Sequence, residues 1–215
     1  LDTTVEEFLW KARFPYAIGY GLTEASPLLT HAVGNQRYPG SIGYPVHGVE
    51  MRLDNVNPET GEGEIVARGD NVMLGYYKDP KRTKEAFTED GWLKTKDVAS
   101  MDKKGRYYIK GRLGNMIVGP SGENIYPEEI ESVINDIEGV SESIIVQRKG
   151  KLVALVQFNE NIIDWDTEGE AEFYEKLEAR KAAVMNIVNK KVSKTSKIND
   201  VEVMKEPFDK TAPRK

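Results

Sequence analysis

Glycine and proline are dense between about residues 40 and 118, and this punctuation limits that part of the sequence to short elements. Four runs rich in strand-forming residues lie between the breaks, at residues 50–53, 63–68, 91–95 and 106–109. Gly and Pro interrupt regular structure, whereas β-branched and aromatic residues favour strands. We therefore predict a β-rich region here, with one short helix near residues 81–87 that follows Pro80.

A helix and a strand are predicted ahead of this region. Residues 4–13 are typical of the end of a helix, and the apolar stretch 15–20 predicts a strand. The strand leads into the polar sequence Gly-Leu-Thr-Glu at residues 21–24, which predicts a turn.

The pattern changes after Gly114. Pro127 suits the first position of a helix, and apolar residues at i, i+3, i+4 and i+7 from Ile130 give that helix one buried face. A hairpin over residues 143–158, a helix over about 170–193 and a strand over 201–204 follow. The predicted fold class is therefore α+β, with a β-rich part at residues 1–112 and a small α+β domain of βαββαβ-like order at residues 113–215.

Composition excludes several classes of protein. The 30 Lys and Arg residues are outnumbered by 35 Asp and Glu, so the chain is not a basic nucleic-acid binder. The chain has no Cys, which removes disulfide frameworks, thiolate nucleophiles and Cys-based metal sites. No apolar run approaches the roughly 20 residues of a membrane span, and no targeting signal is visible. We expect a cytoplasmic protein and, because the sequence begins without Met, a piece of a longer chain.

Four segments carry the functional signal, at residues 20–27, 92–97, 111–131 and 207–215. Together with residues 40–43 and 69–80, and in this order and spacing, they closely resemble the adenylate-forming (AMP-binding) family of acyl-CoA synthetases, luciferases and nonribosomal adenylation domains. The resemblance covers nearly the whole chain. The sequence of residues 122–131 looks most like that of bacterial long-chain fatty acyl-CoA ligases.

The resemblance implies a reaction with three substrates. Enzymes of this family join a carboxylic acid to AMP from ATP, with Mg²⁺, and then transfer the acyl group to coenzyme A. It also implies that residues 1–112 end the large AMP-binding domain and that residues 113–215 form a mobile C-terminal domain. The partners that it implies are ATP, CoA and a small-molecule carboxylic acid of the long-chain fatty-acid class. We expect no nucleic acid and no transmembrane segment, and peripheral membrane contact of the parent enzyme stays open.

The resemblance assigns catalytic roles to Lys215, Thr23 and Glu24. Lys215 matches the lysine that bridges the acid and the α-phosphate, Thr23 the hydroxyl that meets phosphate, and Glu24 the carboxylate that holds Mg²⁺. Tyr20 would offer an aromatic face to adenine, and Gly21 belongs to the same nucleotide-binding loop. A solvated tail lysine, a helix cap formed by the Thr-Glu pair and a core tyrosine are the structural alternatives.

Asp97 and Arg112 complete the nucleotide set that the resemblance implies. A carboxylate has the two acceptor oxygens that a ribose diol needs, and the arginine would reach ribose or phosphate. Gly114 matches the hinge between the domains. The alternatives are a surface ion pair for Asp97 and Arg112 and an ordinary turn for Gly114.

Gly119, Ser121, Gly122 and Glu123 match the loop that lines the CoA pantetheine channel, and the alternative is a plain hairpin turn before the Pro127 helix. Three positions depart from the family pattern. Glycine is usual at the positions of Lys96 and Arg214, whereas Asp or Lys is usual at Gly114.

The family's phosphate loop and most of its acyl pocket have no counterpart in this sequence. The fragment alone is therefore expected to be inactive. Two other readings stay open: an adenylation domain that loads a carrier protein, and a non-catalytic module that keeps the scaffold.

Overall fold

The computed structural model describes residues 3–159, 161–167 and 169–209 and divides the chain into two units. The first unit ends at Gly114 and the second begins at Asn115, two residues beyond the boundary predicted from the sequence. Each unit has its own sheets and its own buried core.

Unit 1 is rich in short strands. Its elements are α1 (Thr3–Lys11), β1 (Ile18–Gly21), β2 (Leu28–Ala32), β3 (Tyr44–Pro45), β4 (Val49–Asp54), β5 (Glu62–Gly69), α2 (Pro80–Ala86), β6 (Leu93–Met101) and β7 (Tyr107–Arg112). They form a three-stranded sheet in the order β1-β2-β3 and a four-stranded sheet in the order β4-β5-β6-β7, with antiparallel pairing throughout.

The start of α2 shows how sequence fixes an element of unit 1. The Asp79 side chain accepts a hydrogen bond of 2.9 Å from the backbone N–H of Arg82, and Pro80 occupies the first turn. An Asp cap accepts a hydrogen bond from a backbone N–H that has no partner within the helix. Pro has no N–H, so it leaves no unpaired donor in the first turn. The helix then buries Ala86 in a small cluster against strands β2, β5 and β6. The buried members of this cluster are Ala25, Leu29, Ala67, Ala86 and Leu93.

Unit 2 is a three-stranded sheet covered by helices. Its elements are β8 (Ile117–Val118), β9 (Asn124–Ile125), α3 (Pro127–Asn135), β10 (Val140–Arg148), β11 (Lys151–Phe158), α4 (Ala171–Lys191) and β12 (Asp200–Met204). The β10–β11 hairpin is antiparallel, and β12 adds to β11 in parallel. A crossover through α4 makes this parallel pairing possible, because parallel neighbours cannot be joined by a tight turn.

The core of unit 2 lies between its helices and the sheet. Ile130 and Ile134 of α3 are both 0% exposed, and Val188 of α4 is also 0% exposed. They pack with Val156 of β11 and Val201 of β12 in one cluster. The apolar spacing in α3 therefore points into the sheet, as the sequence predicts.

The α+β class predicted from the sequence is confirmed, as are the helix beginning at Pro127 and the hairpin over residues 143–158. Two details differ. Strands β2 and β3 were not predicted, and the short β8–β9 pair precedes α3, so the order of unit 2 is ββαββαβ. In the part of the chain that the structure describes, every helix is too short or too polar to span a membrane.

Candidate functional site

Asp97 lies at the centre of a polar cluster in unit 1. Its Oδ2 accepts a hydrogen bond of 2.7 Å from the Tyr20 hydroxyl, and its Oδ1 lies 3.3 Å from Nε of Arg112. Tyr20 comes from β1, whereas Asp97 and Arg112 are paired across β6 and β7. The structure thus brings together three residues that the sequence analysis singled out, from positions as far apart as 20 and 112.

A bulge in β6 aims Asp97 at this cluster. The β5–β6 register shifts between Glu64 and Val66, and Lys96 on the bulged strand has φ of 63°. The Lys96 N–H donates to the Glu64 carboxylate at 3.0 Å, and the Asp97 N–H donates to Thr95 Oγ1 at 3.1 Å. Bulges commonly redirect a side chain beside a functional site. Lys96 adopts the left-handed backbone that suits glycine, the residue usual at this position in the family it resembles.

The charges of the cluster are unequally exposed. The Asp97 side chain is 13% exposed, whereas that of Arg112 is 72% exposed. Burial, together with the hydrogen bond to Asp97, raises the pKa of Tyr20 well above its usual value. The phenol therefore stays protonated and donates to the carboxylate, while the Arg112 guanidinium has most of its surface open to solvent.

Thr23 and Glu24 lie on a tight turn after β1. Residues Thr23–Ala25 form one 3₁₀ turn, and the Leu22 N–H donates to the Pro27 carbonyl at 2.8 Å. The cap position is Leu22 and has no side-chain cap bond, so the alternative of a Thr-Glu helix cap is wrong. Gly21 is required for packing, because a Cβ there would lie 1.7 Å from the Pro27 carbonyl oxygen. The Thr23 side chain is exposed.

Hydrogen bonds from segment 71–76 stabilise this turn. The Asn71 amide donates to the carbonyls of Ala25 and Leu28 at 2.8 and 2.9 Å, and the Met73 N–H donates to the Glu24 carbonyl at 2.7 Å. The Tyr76 hydroxyl donates to Glu24 Oε1 at 2.8 Å. Burial and the bond to Glu24 raise the pKa of Tyr76, which keeps its phenol protonated.

Segment 69–80 contributes to the family resemblance, but no role was predicted for Asn71 or Tyr76. Their only signal in the sequence was membership of that motif. Contact between Tyr76 and Glu24 joins positions 52 residues apart, and no local spacing rule predicts such a contact.

Glu24 fits Mg²⁺ only as one ligand among others. Its Oε1 is engaged by Tyr76, and the side chain is half-buried, which leaves the second oxygen available. Among the described residues, no group of three or more His, Cys, Asp or Glu side chains could hold a metal ion. Mg²⁺ usually completes its shell with waters and phosphate oxygens, so this carboxylate suits a cation that arrives with a phosphate ligand.

The loop predicted to meet CoA is a closed turn between β8 and β9 in unit 2. The Gly119 N–H donates to the Glu123 carbonyl at 2.8 Å, the Ser121 N–H donates to Glu123 Oε2 at 2.9 Å, and Gly122 has φ of 86°. The hairpin-turn alternative is thus correct as a description of its structure. Gly114 is exposed and ends unit 1, and Lys215 lies outside the described residues.

The model of one protein family matches residues 1–77, and its description is AMP-binding enzyme. This part of the chain is therefore similar to AMP-binding enzymes. The matched range includes the 3₁₀ turn with Thr23 and Glu24 and the segment that holds it. Asp97 and Arg112 lie beyond the match, so their place beside the AMP-binding segment is a finding of the structure.

Relatives extend the AMP-binding likeness further along the chain. Long-chain-fatty-acid–CoA ligase of Yersinia pestis is 45% identical over 60% of this chain and 23% of its own length. A long-chain-fatty-acid–[acyl-carrier-protein] ligase of Arabidopsis thaliana is 35% identical over 64% of this chain and 21% of its own length. The chain thus spans less than a quarter of either relative.

Among solved structures, ATP-bound MatB of Rhodopseudomonas palustris is similar over 91% of this chain and 38% of its own length. Its TM-score is 0.67 at 27% identity. This likeness covers elements of both units and agrees with the α+β class.

Proposed function

We propose that the chain carries part of the nucleotide site of an ATP-dependent acid–thiol ligase, which activates a carboxylic acid as acyl-AMP and transfers it to CoA. The observation that carries the proposal is the Asp97 carboxylate, fixed between the Tyr20 hydroxyl and the Arg112 guanidinium beside the AMP-binding segment. A long-chain fatty acid is the proposed substrate class, supported by the name of the Yersinia pestis relative.

Asp97 is the proposed ribose ligand. A carboxylate can accept bonds from both hydroxyls of a cis-diol, and each of its oxygens has a lone pair beyond the one used by Tyr20 or Arg112. The partners hold its plane fixed, so that little rotational freedom is lost when nucleotide binds. The exposed guanidinium of Arg112 has N–H donors beyond the one that faces Asp97, which could bind ribose or phosphate, and the Tyr20 ring would lie against adenine.

Thr23 and Glu24 are the proposed phosphate and Mg²⁺ ligands. The exposed Thr23 hydroxyl can donate to an α-phosphate oxygen, and the Glu24 carboxylate would hold the ion together with phosphate oxygens. Bound Mg²⁺ would neutralise phosphate charge as the carboxylate of the acid approaches.

The remaining assignments are proposals for the same enzyme. Lys215 would neutralise charge between acid and α-phosphate, Gly114 would serve as the hinge, and residues 119–123 would line the path of the CoA thiol. Because the sequence has no counterpart of the family's phosphate loop, we propose that these 215 residues do not catalyse adenylation alone. We propose the cytoplasm as the site of the reaction.

The test uses a full-length enzyme that includes this chain. It is incubated with Mg·ATP, CoA and a mixture of short, medium and long carboxylic acids, and products are detected by mass spectrometry. We expect acyl-CoA of one chain-length class, and we expect Asp97→Ala to lower the yield at limiting ATP. Asp90→Ala is the matched control, because Asp90 pairs with Arg52 on the surface of the same unit.

The second candidate is a ligase that loads a carrier protein, supported by the name of the Arabidopsis thaliana relative. It shares every nucleotide residue proposed above. Acyl-AMP without CoA thioester in the same assay would favour it, and the absence of both products would favour a non-catalytic scaffold.

A further inference from the structure

Segment 71–76 makes three kinds of contact with the turn that carries Glu24, and one of them reaches the carboxylate itself. The Asn71 amide and the Met73 N–H bind backbone carbonyls, which fixes the path of the turn. The Tyr76 hydroxyl donates to Glu24 Oε1 at 2.8 Å, which fixes the side chain. We infer that Tyr76 is a positioning residue that orients the Glu24 carboxylate for a nucleotide-bound divalent cation. This inference rests on the proposed function.

Tyr76 is itself held by two residues of α2, so that its hydroxyl can act as a fixed donor. Its N–H donates to Thr83 Oγ1 at 2.9 Å, and the Thr83 hydroxyl donates to the Asp79 carbonyl at 2.8 Å. The Arg82 guanidinium lies 4.8 Å from the centre of the tyrosine ring. Gly75 has φ of 151°, and a Cβ there would lie 2.6 Å from Thr83, so the chain turns tightly into the tyrosine. The first turns of α2 therefore anchor the ring.

A donor on one oxygen has a defined consequence for a metal ligand. An ionised carboxylate offers two equivalent oxygens and rotates about its last bond. A hydrogen bond to Oε1 restricts that rotation and directs the remaining oxygen, which suits an ion with strict octahedral geometry. Such partners of metal ligands typically contribute 10–100-fold in metal affinity or activity.

Tyr77 provides a matched control on the next residue. Its side chain is 88% exposed, and its ring contacts Lys78, whose Nζ lies 5.2 Å from the ring centre. Tyr76→Phe and Tyr77→Phe each remove one phenolic oxygen and nothing else. Only the first of these changes removes a hydrogen bond to Glu24.

The experiment measures Mn²⁺ binding by electron paramagnetic resonance, with the full-length enzyme and an ATP analogue that resists cleavage between the α- and β-phosphates. We expect Tyr76→Phe to raise the dissociation constant for Mn²⁺ about tenfold. Tyr77→Phe should stay within twofold of the wild type. Mn²⁺ affinity of Tyr76→Phe equal to that of Tyr77→Phe would overturn the inference.

A second variant separates the phenol from the segment that carries it. Thr83→Val removes the acceptor of the Tyr76 N–H but keeps the phenol and Glu24, so it should lower the melting temperature and weaken Mn²⁺ binding less than Tyr76→Phe does. Equal weakening by Thr83→Val and Tyr76→Phe would overturn the role of the phenol. Failure of the wild-type enzyme to bind Mn²⁺ with nucleotide would refute the proposed function and this inference with it, whereas wild-type binding that Tyr76→Phe leaves unchanged would refute the inference alone.

Discussion

Replacing Tyr20 with Phe should destabilise unit 1 through one lost hydrogen bond. The bond joins a neutral phenol to an ionised carboxylate at 2.7 Å, and bonds to charged groups contribute about 1.5–3 kcal/mol. The Asp97 side chain is only 13% exposed, so water replaces the lost donor incompletely. Phe keeps the ring and its packing. We expect a loss of about 2 kcal/mol in the free energy of unfolding, or roughly thirtyfold in the equilibrium constant.

The assay is urea-dependent hydrogen exchange, followed by mass spectrometry on peptides that cover strand β6. These peptides report the unfolding of unit 1 separately from that of unit 2, which two-state optical melting of the whole chain does not. Tyr77→Phe is the control, and its exposed ring predicts a change within about 0.5 kcal/mol.

A double-mutant cycle tests the cause. In an Asp97→Ala background the hydrogen bond is already absent, so Tyr20→Phe should then cost under about 1 kcal/mol. An equal cost of Tyr20→Phe with and without Asp97 would show that the effect does not come from the bond to Asp97. Indistinguishable stability of Tyr20→Phe and Tyr77→Phe would show that the bond contributes nothing.

Three further outcomes are expected. Ile130→Ala should destabilise unit 2 by about 3 kcal/mol in hydrogen exchange, because it leaves a cavity at a fully buried site, whereas Ile144→Ala, 37% exposed, should cost less than half of that. Lys96→Gly should stabilise unit 1 by about 0.5–1 kcal/mol in the same assay, because glycine tolerates φ of 63° and the relief exceeds its added chain entropy. Although burial opposes it, hydrogen bonds lower the pKa of Asp102 to about 2, so its contribution to stability is present above about pH 4 and lost as pH falls through 2. In Asp102→Asn, the free energy of unfolding should therefore change less between about pH 4 and pH 2 than in the wild type. The same pH dependence in both proteins would contradict this.

Short-range sequence patterns sufficed to predict the helices and hairpins whose structure depends on neighbouring residues. Pro127 and the apolar spacing from Ile130 sufficed for α3, because a helix buries a stripe set by its own period. The hairpin of β10 and β11 was predicted because two apolar runs flank a short polar turn. Strand β2 was missed, since it follows the turn at Ser26 directly and takes its identity from pairing with β1.

In the candidate site, the sequence predicted which residues matter but not the contacts between them. The residue types at positions 20, 24, 97 and 112 were chosen by resemblance, but their contacts depend on strand register and on a bulge. The Asp97–Arg112 pairing needs the β6–β7 register, and the Tyr76–Glu24 bond needs a fold that brings two segments together. Those contacts are set by tertiary structure and leave no trace in local spacing.

Strand β12 has a consequence for synthesis of the chain on the ribosome. The strand pairs with β11, yet roughly 40 residues, including all of α4, are translated between the two. At about 5–20 residues per second, the β11 edge waits about two to eight seconds for its partner. An unpaired strand edge is where nascent chains associate wrongly. Synonymous codons that slow translation of α4 would lengthen that exposure and lower the soluble yield without changing a single residue.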